Sequence, residues 1–361
     1  MSNQNWDMYD YIVESKDAVN NIIEQGNDLF ASALSYCETK EINQIYVVGS
    51  GTSYHAALAA KGIMEKALQM KVNIIYPLAF KDNEFIASNE ALVIGVSHAG
   101  RSSSTIKALD YAREKGMSTI AMTVEMERPI RNHADETVLI AVGEELAGPK
   151  TKGFIGSIAT LALFSLLLGV RRGTISEQEK EELVSRMKKT TDQIPELAEK
   201  AWKWYKENKI DLVNCRRMIV IGYENCVSAM MEGTLKISEA VRYSVIGYEQ
   251  EEFMHGIYHG IDAETYILYL APPSQYLDRC VRMKDYFAVE RKNHNYLITS
   301  EKQFSDNKNF VFDFINDPYF MTMEYIVPLQ VIARKLSLDL GIDCNQSSDP
   351  DFHRKMESYT Y

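Results

Sequence analysis

No C-x-x-C pair occurs in this 361-residue sequence, and its five cysteines, Cys37, Cys215, Cys226, Cys280 and Cys344, form an odd set. Neither a disulfide framework nor a zinc site is indicated, and a reducing cytoplasm is the expected compartment. Basic charge is also short: 39 Lys and Arg stand against 50 Asp and Glu, a formal net charge of −11, with no local basic patch. That balance opposes attraction to a phosphate backbone and leaves no electrostatic footprint for nucleic acid. The start, MSNQNWDMYDYIVESKD, has acids where a signal peptide carries a basic region and an apolar run, so no export signal is expected. The uncharged run Phe154 to Val170 has 17 residues. That falls short of the roughly 20 that span a bilayer core, so a buried helix is expected there and no membrane association.

What is present fits a compact protein of two or three domains: 46% hydrophobic, 25% charged and 10% aromatic residues. Short β-branched runs alternate with helix-length segments, the pattern of βαβ units and a parallel sheet. The predicted strands are Gln44 to Val48, Val72 to Tyr76, Ala91 to Val96, Ser118 to Val124 and Thr137 to Val142. The second half repeats the sequence of events. IYVVGSGTSYHAA aligns with MIVIGYENCVSAM so that Gly49 falls on Gly222, and the same offset of 173 places Ala67 on Ala240 and Phe80 on Phe253. Further strands are expected at Tyr266 to Leu270, Tyr296 to Thr299 and Phe310 to Phe314. A period this long is a domain duplication. The expected division is a helical arm over 1–40, a first domain over 41–175, a second over 205–348 and a tail over 349–361.

Two loops in the first half suit an anion. Gly49-Ser50-Gly51-Thr52-Ser53 runs from a strand into a helix, gathering amides and hydroxyls at a helix N-terminus. The loop Ser97-His98-Ala99-Gly100-Arg101-Ser102-Ser103-Ser104-Thr105 repeats the arrangement on another strand. Tyr54 replaces the third glycine of a dinucleotide fingerprint and a Walker lysine is missing, which disfavours NAD and P-loop nucleotides. The second half has Tyr223-Glu224-Asn225-Cys226 and Ala271-Pro272-Pro273-Ser274 at the equivalent places, without the hydroxyl cluster. There Glu232, Lys236 and Glu239 share one helical face at i, i+4 and i+7. By itself such a trio is more often a solvated salt-bridge face. His255 and His259 lie four apart, but no Glu follows the first, so no metal is expected.

The G-S-G-T-S loop, the S-x-x-G-x-S-x-x-T loop and Thr151-Lys152-Gly153-Phe154 resemble the sugar isomerase (SIS) domain family. The likeness runs from about Ile45 to Ser348, in duplicate as in the isomerase half of glucosamine-6-phosphate synthase. A Glu, a Lys four on, a Glu three further and a His sixteen beyond are matched by Glu232, Lys236, Glu239 and His255. His98 and Ala99 depart from the pattern, standing where Gln and a second loop Ser are usual. The resemblance implies an α/β fold of two tandem domains, each a parallel sheet sandwiched by helices in a flavodoxin-like three-layer arrangement. It also implies that Ser53, Ser97 and Ser102 hold the 6-phosphate of an open-chain sugar, with Gly51, Thr52, His98, Thr105, Lys152, Glu232 and Lys236 in the binding set. Glu239 becomes the candidate base that moves a proton between C1 and C2, and His255 the candidate ring opener, contributed across a homodimer. No cofactor is implied.

The synthase also carries a glutaminase domain with a catalytic cysteine near its start, whereas no cysteine precedes Cys37, so glutamine-dependent amination is not expected. The ending DPDFHRKMESYTY, with its aromatic tail, resembles fructosamine-6-phosphate deglycases. Lys355 stands three residues later than the synthase's terminal lysine and is given no Schiff-base role. The expected activity is cleavage of a 6-phosphorylated fructosamine to glucose 6-phosphate and free amine. The alternatives are an amino-sugar-phosphate isomerase or deaminase and a non-enzymatic sugar-phosphate sensor.

Overall fold

The structure, a computed structural model, describes residues 7–83 and 88–361. The first part of the chain runs α1 (Met8–Glu38), β1 (Gln44–Val48), α2 (Thr52–Leu68), β2 (Lys71–Ile75), α3 (Pro77–Asn83), β3 (Ala91–Val96), α4 (Ser103–Glu114), β4 (Ser118–Thr123), β5 (Glu136–Leu139) and α5 (Lys152–Arg172). Then come α6 (Glu177–Asp192), α7 (Ile194–Leu212), β6 (Met218–Gly222), α8 (Cys226–Val241), β7 (Val245–Glu249), α9 (Gln250–Met254), β8 (Tyr266–Leu270), α10 (Leu277–Glu290), β9 (His294–Thr299), β10 (Phe310–Val311), α11 (Thr322–Asp339) and α12 (Phe352–Lys355).

The strands make two parallel five-stranded sheets, in the orders β2-β1-β3-β4-β5 and β10-β9-β8-β6-β7. Parallel sheets need crossover helices and are buried on both faces, which is why β3 (ALVIGV), β6 (MIVIG) and β8 (YILYL) read as continuous apolar runs and lie fully buried. This is the α/β architecture expected from the sequence, a doubly wound sheet flanked by helices and built twice. Contacts divide the chain into two compact units. One, residues 17–145, 152–188 and 347–361, surrounds the first sheet; the other, Met1–Lys16, Leu146–Thr151 and Lys189–Gln346, surrounds the second.

The burial expected of the apolar run is borne out, while its length and two strands are corrected. The apolar helix α5 has 21 residues, long and apolar enough to cross a membrane by length and composition, yet 89% of its most apolar window is buried inside the protein. Strand β7 was not predicted, although Val245 lies at the duplication offset from Val72 of β2. As an edge strand of sequence VIGYE it keeps a largely half-exposed, glycine-interrupted pattern with no apolar run to mark it. β10 stops at Val311 instead of Phe314, because Phe314 N–H turns back to the Phe312 carbonyl.

In the second unit the loop ahead of α11 is held by Glu324, a fully buried carboxyl that accepts from the amides of Ile315 (2.7 Å) and Asn316 (3.2 Å). Burial pushes this group up from 4.5 to about 8; the two amide donors pull it down, and the nearby Asp317 carboxylate adds to the rise. The native state therefore holds the proton more tightly than the unfolded chain. Its contribution to stability is fully present below pH 4.5 and is lost as pH rises through about 8. Urea titrations at pH 5 and pH 8.5 are expected to show a fall in midpoint for the wild type, and Glu324→Gln is expected to reduce that fall. An equal pH slope in both proteins would refute the assignment.

Candidate active site

In the first sheet β1 and β3 pair in register, Val48 opposite Gly95, so the loops that follow them leave neighbouring strands at one C-terminal edge. The strand order reverses at this point, the place where open α/β sheets bind ligands. Gly51 caps α2 at φ 56°, ψ −132°, a backbone region essentially restricted to glycine, and makes no side-chain capping bond of its own. The amides of Thr52 and buried Ser53 thus open the helix in the geometry that suits an anion.

The second loop gathers four hydroxyls. Ser97 Oγ accepts from the Ser102 amide (3.4 Å), and Ser102 Oγ accepts from the Thr105 amide (3.5 Å) and the Thr105 hydroxyl (3.1 Å), with Ser104 Oγ 3.2 Å away. The His98 carbonyl is held by Val124 N–H, and its ring lies against α5 so closely that a Cβ on Gly153 would stand 2.1 Å from His98 Cε1. Gly153 is required there by close approach. Lys152 is buried, with Nζ donating to the Glu144 carbonyl at 2.9 Å. Glu145, which sequence reasoning missed, takes the amides of Lys152 (3.2 Å) and Gly153 (2.9 Å), so the N-terminus of α5 already carries a carboxylate. The one signal for it was an acid six residues before the Thr151 of Thr-Lys-Gly, where the helix starts.

The second unit assembles the charged trio on α8. The side chains of Glu232 and Lys236 are 0% and 2% exposed with Nζ and Oε1 3.5 Å apart, while Glu239 is 41% exposed and meets the same Nζ at 2.7 Å. A solvated salt-bridge face is thereby ruled out. His255 ends α9, exposed, its amide donating to the Glu252 carbonyl, and it hydrogen bonds to none of the trio. His259 packs against Tyr258, and among the described residues no group of three or more His, Cys, Asp or Glu is placed to hold a metal ion. Lys355 is exposed beside Asp349 at 3.6 Å. The equivalents of the hydroxyl loops in this unit bond inward: Tyr223 donates to the Pro272 carbonyl (2.6 Å) and Asn225 to the Pro318 carbonyl.

The family model for the SIS domain matches residues 40–168, the stretch that contains both hydroxyl loops and most of α5. Residues 40–168 are an SIS domain. The likeness to the sugar isomerase family drawn from the loops is thus borne out. Among curated proteins the chain is 26% identical over 317 residues to the isomerizing glutamine–fructose-6-phosphate aminotransferase of Caldanaerobacter subterraneus, covering 86% of this chain and 51% of that one. The chain spans about half the length of the curated relatives it matches. A Clostridium difficile 630 protein described as a phosphosugar isomerase superposes with a TM-score of 0.90 at 28% identity, covering 98% and 99% of the two chains. The C-terminal domain of the Francisella tularensis glucosamine-fructose-6-phosphate aminotransferase shares the fold, with a TM-score of 0.79 at 18% identity over 94% and 98%.

Breaking a buried ion pair by removing one partner costs about 3–5 kcal/mol, because the other charge stays desolvated. Lys236→Met is therefore expected to lower unfolding stability by that order. The double variant Lys236→Met/Glu232→Leu is expected to recover much of the loss. Urea denaturation checks both, and a single variant as stable as the wild type would contradict the buried pair.

Proposed function

We propose that this chain is a phosphosugar enzyme acting on an amine-bearing 6-phosphosugar, and that its reaction is deglycation of a fructosamine 6-phosphate. The observation that carries the reading is the graded exposure of the α8 trio. A buried ammonium, itself paired with a buried carboxylate, holds one oxygen of a carboxylate that faces out of the protein. Glu239 is oriented by a fixed cation and remains accessible, which is what a base shuttling a carbon-bound proton requires. In the first unit the hydroxyl-rich loops of the SIS domain offer donors suited to Ser53, Ser97 and Ser102 holding a sugar phosphate.

The chemistry runs as follows. Glu239 takes a proton from C1, next to the substituted nitrogen, and the C2 carbonyl becomes the hydroxyl of an enaminol. Returning the proton to C2 leaves an imine at C1. Water adds across the carbon–nitrogen double bond, and its collapse releases the amine and the aldehyde of glucose 6-phosphate. The exposed imidazole of His255 suits opening of the cyclic substrate, from a second copy of the chain as the family resemblance implies. Deglycation is favoured over deamination of glucosamine 6-phosphate by the aromatic tail, and in glucosamine 6-phosphate the nitrogen sits on C2, one carbon away from where this scheme needs it.

Purified protein coupled to glucose-6-phosphate dehydrogenase is expected to convert fructosamine 6-phosphates of amino acids with one free amine per glucose 6-phosphate. Release of fructose 6-phosphate and ammonia from glucosamine 6-phosphate, with no turnover of any ketosamine, would replace this reading by the deaminase. Glu239→Gln preserves size and hydrogen bonding but accepts no proton, so kcat is expected to fall at least about a hundredfold with KM little changed. Retained turnover in that variant would remove Glu239 from the role.

A further inference from the structure

Arg101 sits inside the hydroxyl loop, between Ser97 and Ser102, and the reaction above does not use it. Among the described residues no carboxylate pairs with its guanidinium, and its Nε is buried without an acceptor. Arg128, on the segment packed against Gly100 of the same loop, also has a buried Nε without an acceptor, but its guanidinium pairs through Nη2 with Glu125. A buried donor left unmade costs stability, and a permanently charged one costs more, so its persistence at a ligand loop points to an acceptor that arrives with the ligand.

The C-terminal tail fixes where this cation stands. After α12 the chain runs antiparallel to the loop: Thr360 N–H donates to the Arg101 carbonyl (2.8 Å), Ser103 N–H to the Ser358 carbonyl (3.0 Å) and Ser103 Oγ to the Glu357 carbonyl (3.1 Å), with Tyr359 bridged to Ser102. His353 stacks on Tyr359 at 4.0 Å and meets Ser358 Oγ at 2.8 Å, stiffening the turn. The result lays the Tyr361 ring 5.6 Å from the Arg101 guanidinium. An aromatic ring engages the face of a guanidinium and leaves its in-plane N–H fork for a bidentate acceptor.

We propose that Arg101 binds an oxyanion of the substrate, either the phosphate or a carboxylate on the amine half, and that Tyr361 is its positioning residue. The inference rests on the reading of this loop as a phosphosugar site. Charge and planar geometry both select a carboxylate or phosphate over a neutral hydroxyl. Side-chain substitution at Arg101 spares the tail pairing, which uses only its backbone carbonyl.

The test titrates the full chain by calorimetry with fructose 6-phosphate and with the fructosamine 6-phosphates of glycine and of methylamine. Arg101→Met is expected to weaken binding at least about tenfold, the order of one charge-assisted hydrogen bond. A loss on all three probes assigns Arg101 to the phosphate; a loss confined to the glycine adduct assigns it to the carboxylate. Tyr361→Ala is expected to raise KM with kcat held, and Tyr361→Phe, which keeps the ring, to restore it. Unchanged affinity of Arg101→Met for every probe, or no binding of any probe by the wild type, overturns the proposal. Wild-type binding of fructose 6-phosphate without turnover of either adduct would overturn the deglycase instead and leave Arg101 measurable.

Discussion

A parallel strand cannot turn back on its neighbour. Each must be carried to the far end of the sheet by a crossover, and the helices that do this cover both faces. That constraint organises the rest of this protein. It buries β1, β3, β4, β6 and β8 and sends the C-terminal ends of β1, β3, β6 and β8 into loops that open α2, α4, α8 and α10. Amides without intrahelical partners thus collect along one edge of each sheet. A sheet edge whose amides suit an anion is a consequence of this topology before any side chain is considered.

The two units put the same edge to different uses. In the first, Ser97, Ser102, Ser104 and Thr105 crowd their hydroxyls together, a cluster that can turn its donors toward a ligand. In the second, the polar groups of the corresponding loops are spent internally: Tyr223 on Pro272 and Asn225 on Pro318. Duplication supplied two scaffolds, and internal bonding closed one of the two loop sets. The second unit contributes charge instead, through a helix face whose inner members are fully desolvated. A buried Glu–Lys pair is weak as a source of stability, since desolvation offsets much of the attraction. Its effect here is directional, holding one oxygen of Glu239 while the side chain stays open to solvent.

Much of this was legible in the chain, and the reason is locality. Strands β1, β3 and β8 begin and end where their apolar runs do, and the glycine and serine loops declare themselves by composition. The 173-residue offset exposed the duplication, and the i, i+4, i+7 spacing of Glu232, Lys236 and Glu239 placed them on one face. What could not be read was whether that face meets water, because burial depends on what packs over a helix. The same holds for β7, an edge strand with only one packed neighbour to shape its pattern, and for Glu145, an acid whose partners are amides seven and eight residues away.

The sequence by itself determined the α/β class, the hydroxyl-rich loops and the identity of the charged trio, which follow from periodicities and spacings within a few turns of helix or strand, and the repeat, which follows from matched patterns 173 residues apart. Tertiary structure alone decided that Glu232 and Lys236 are desolvated, that the His98 ring rests on Gly153, and that the last residues of the chain run beside Arg101, about 260 positions away, to place Tyr361 on its guanidinium. Those outcomes join groups far apart in sequence, and only the closure of the chain around its sheets brings them within a few ångströms.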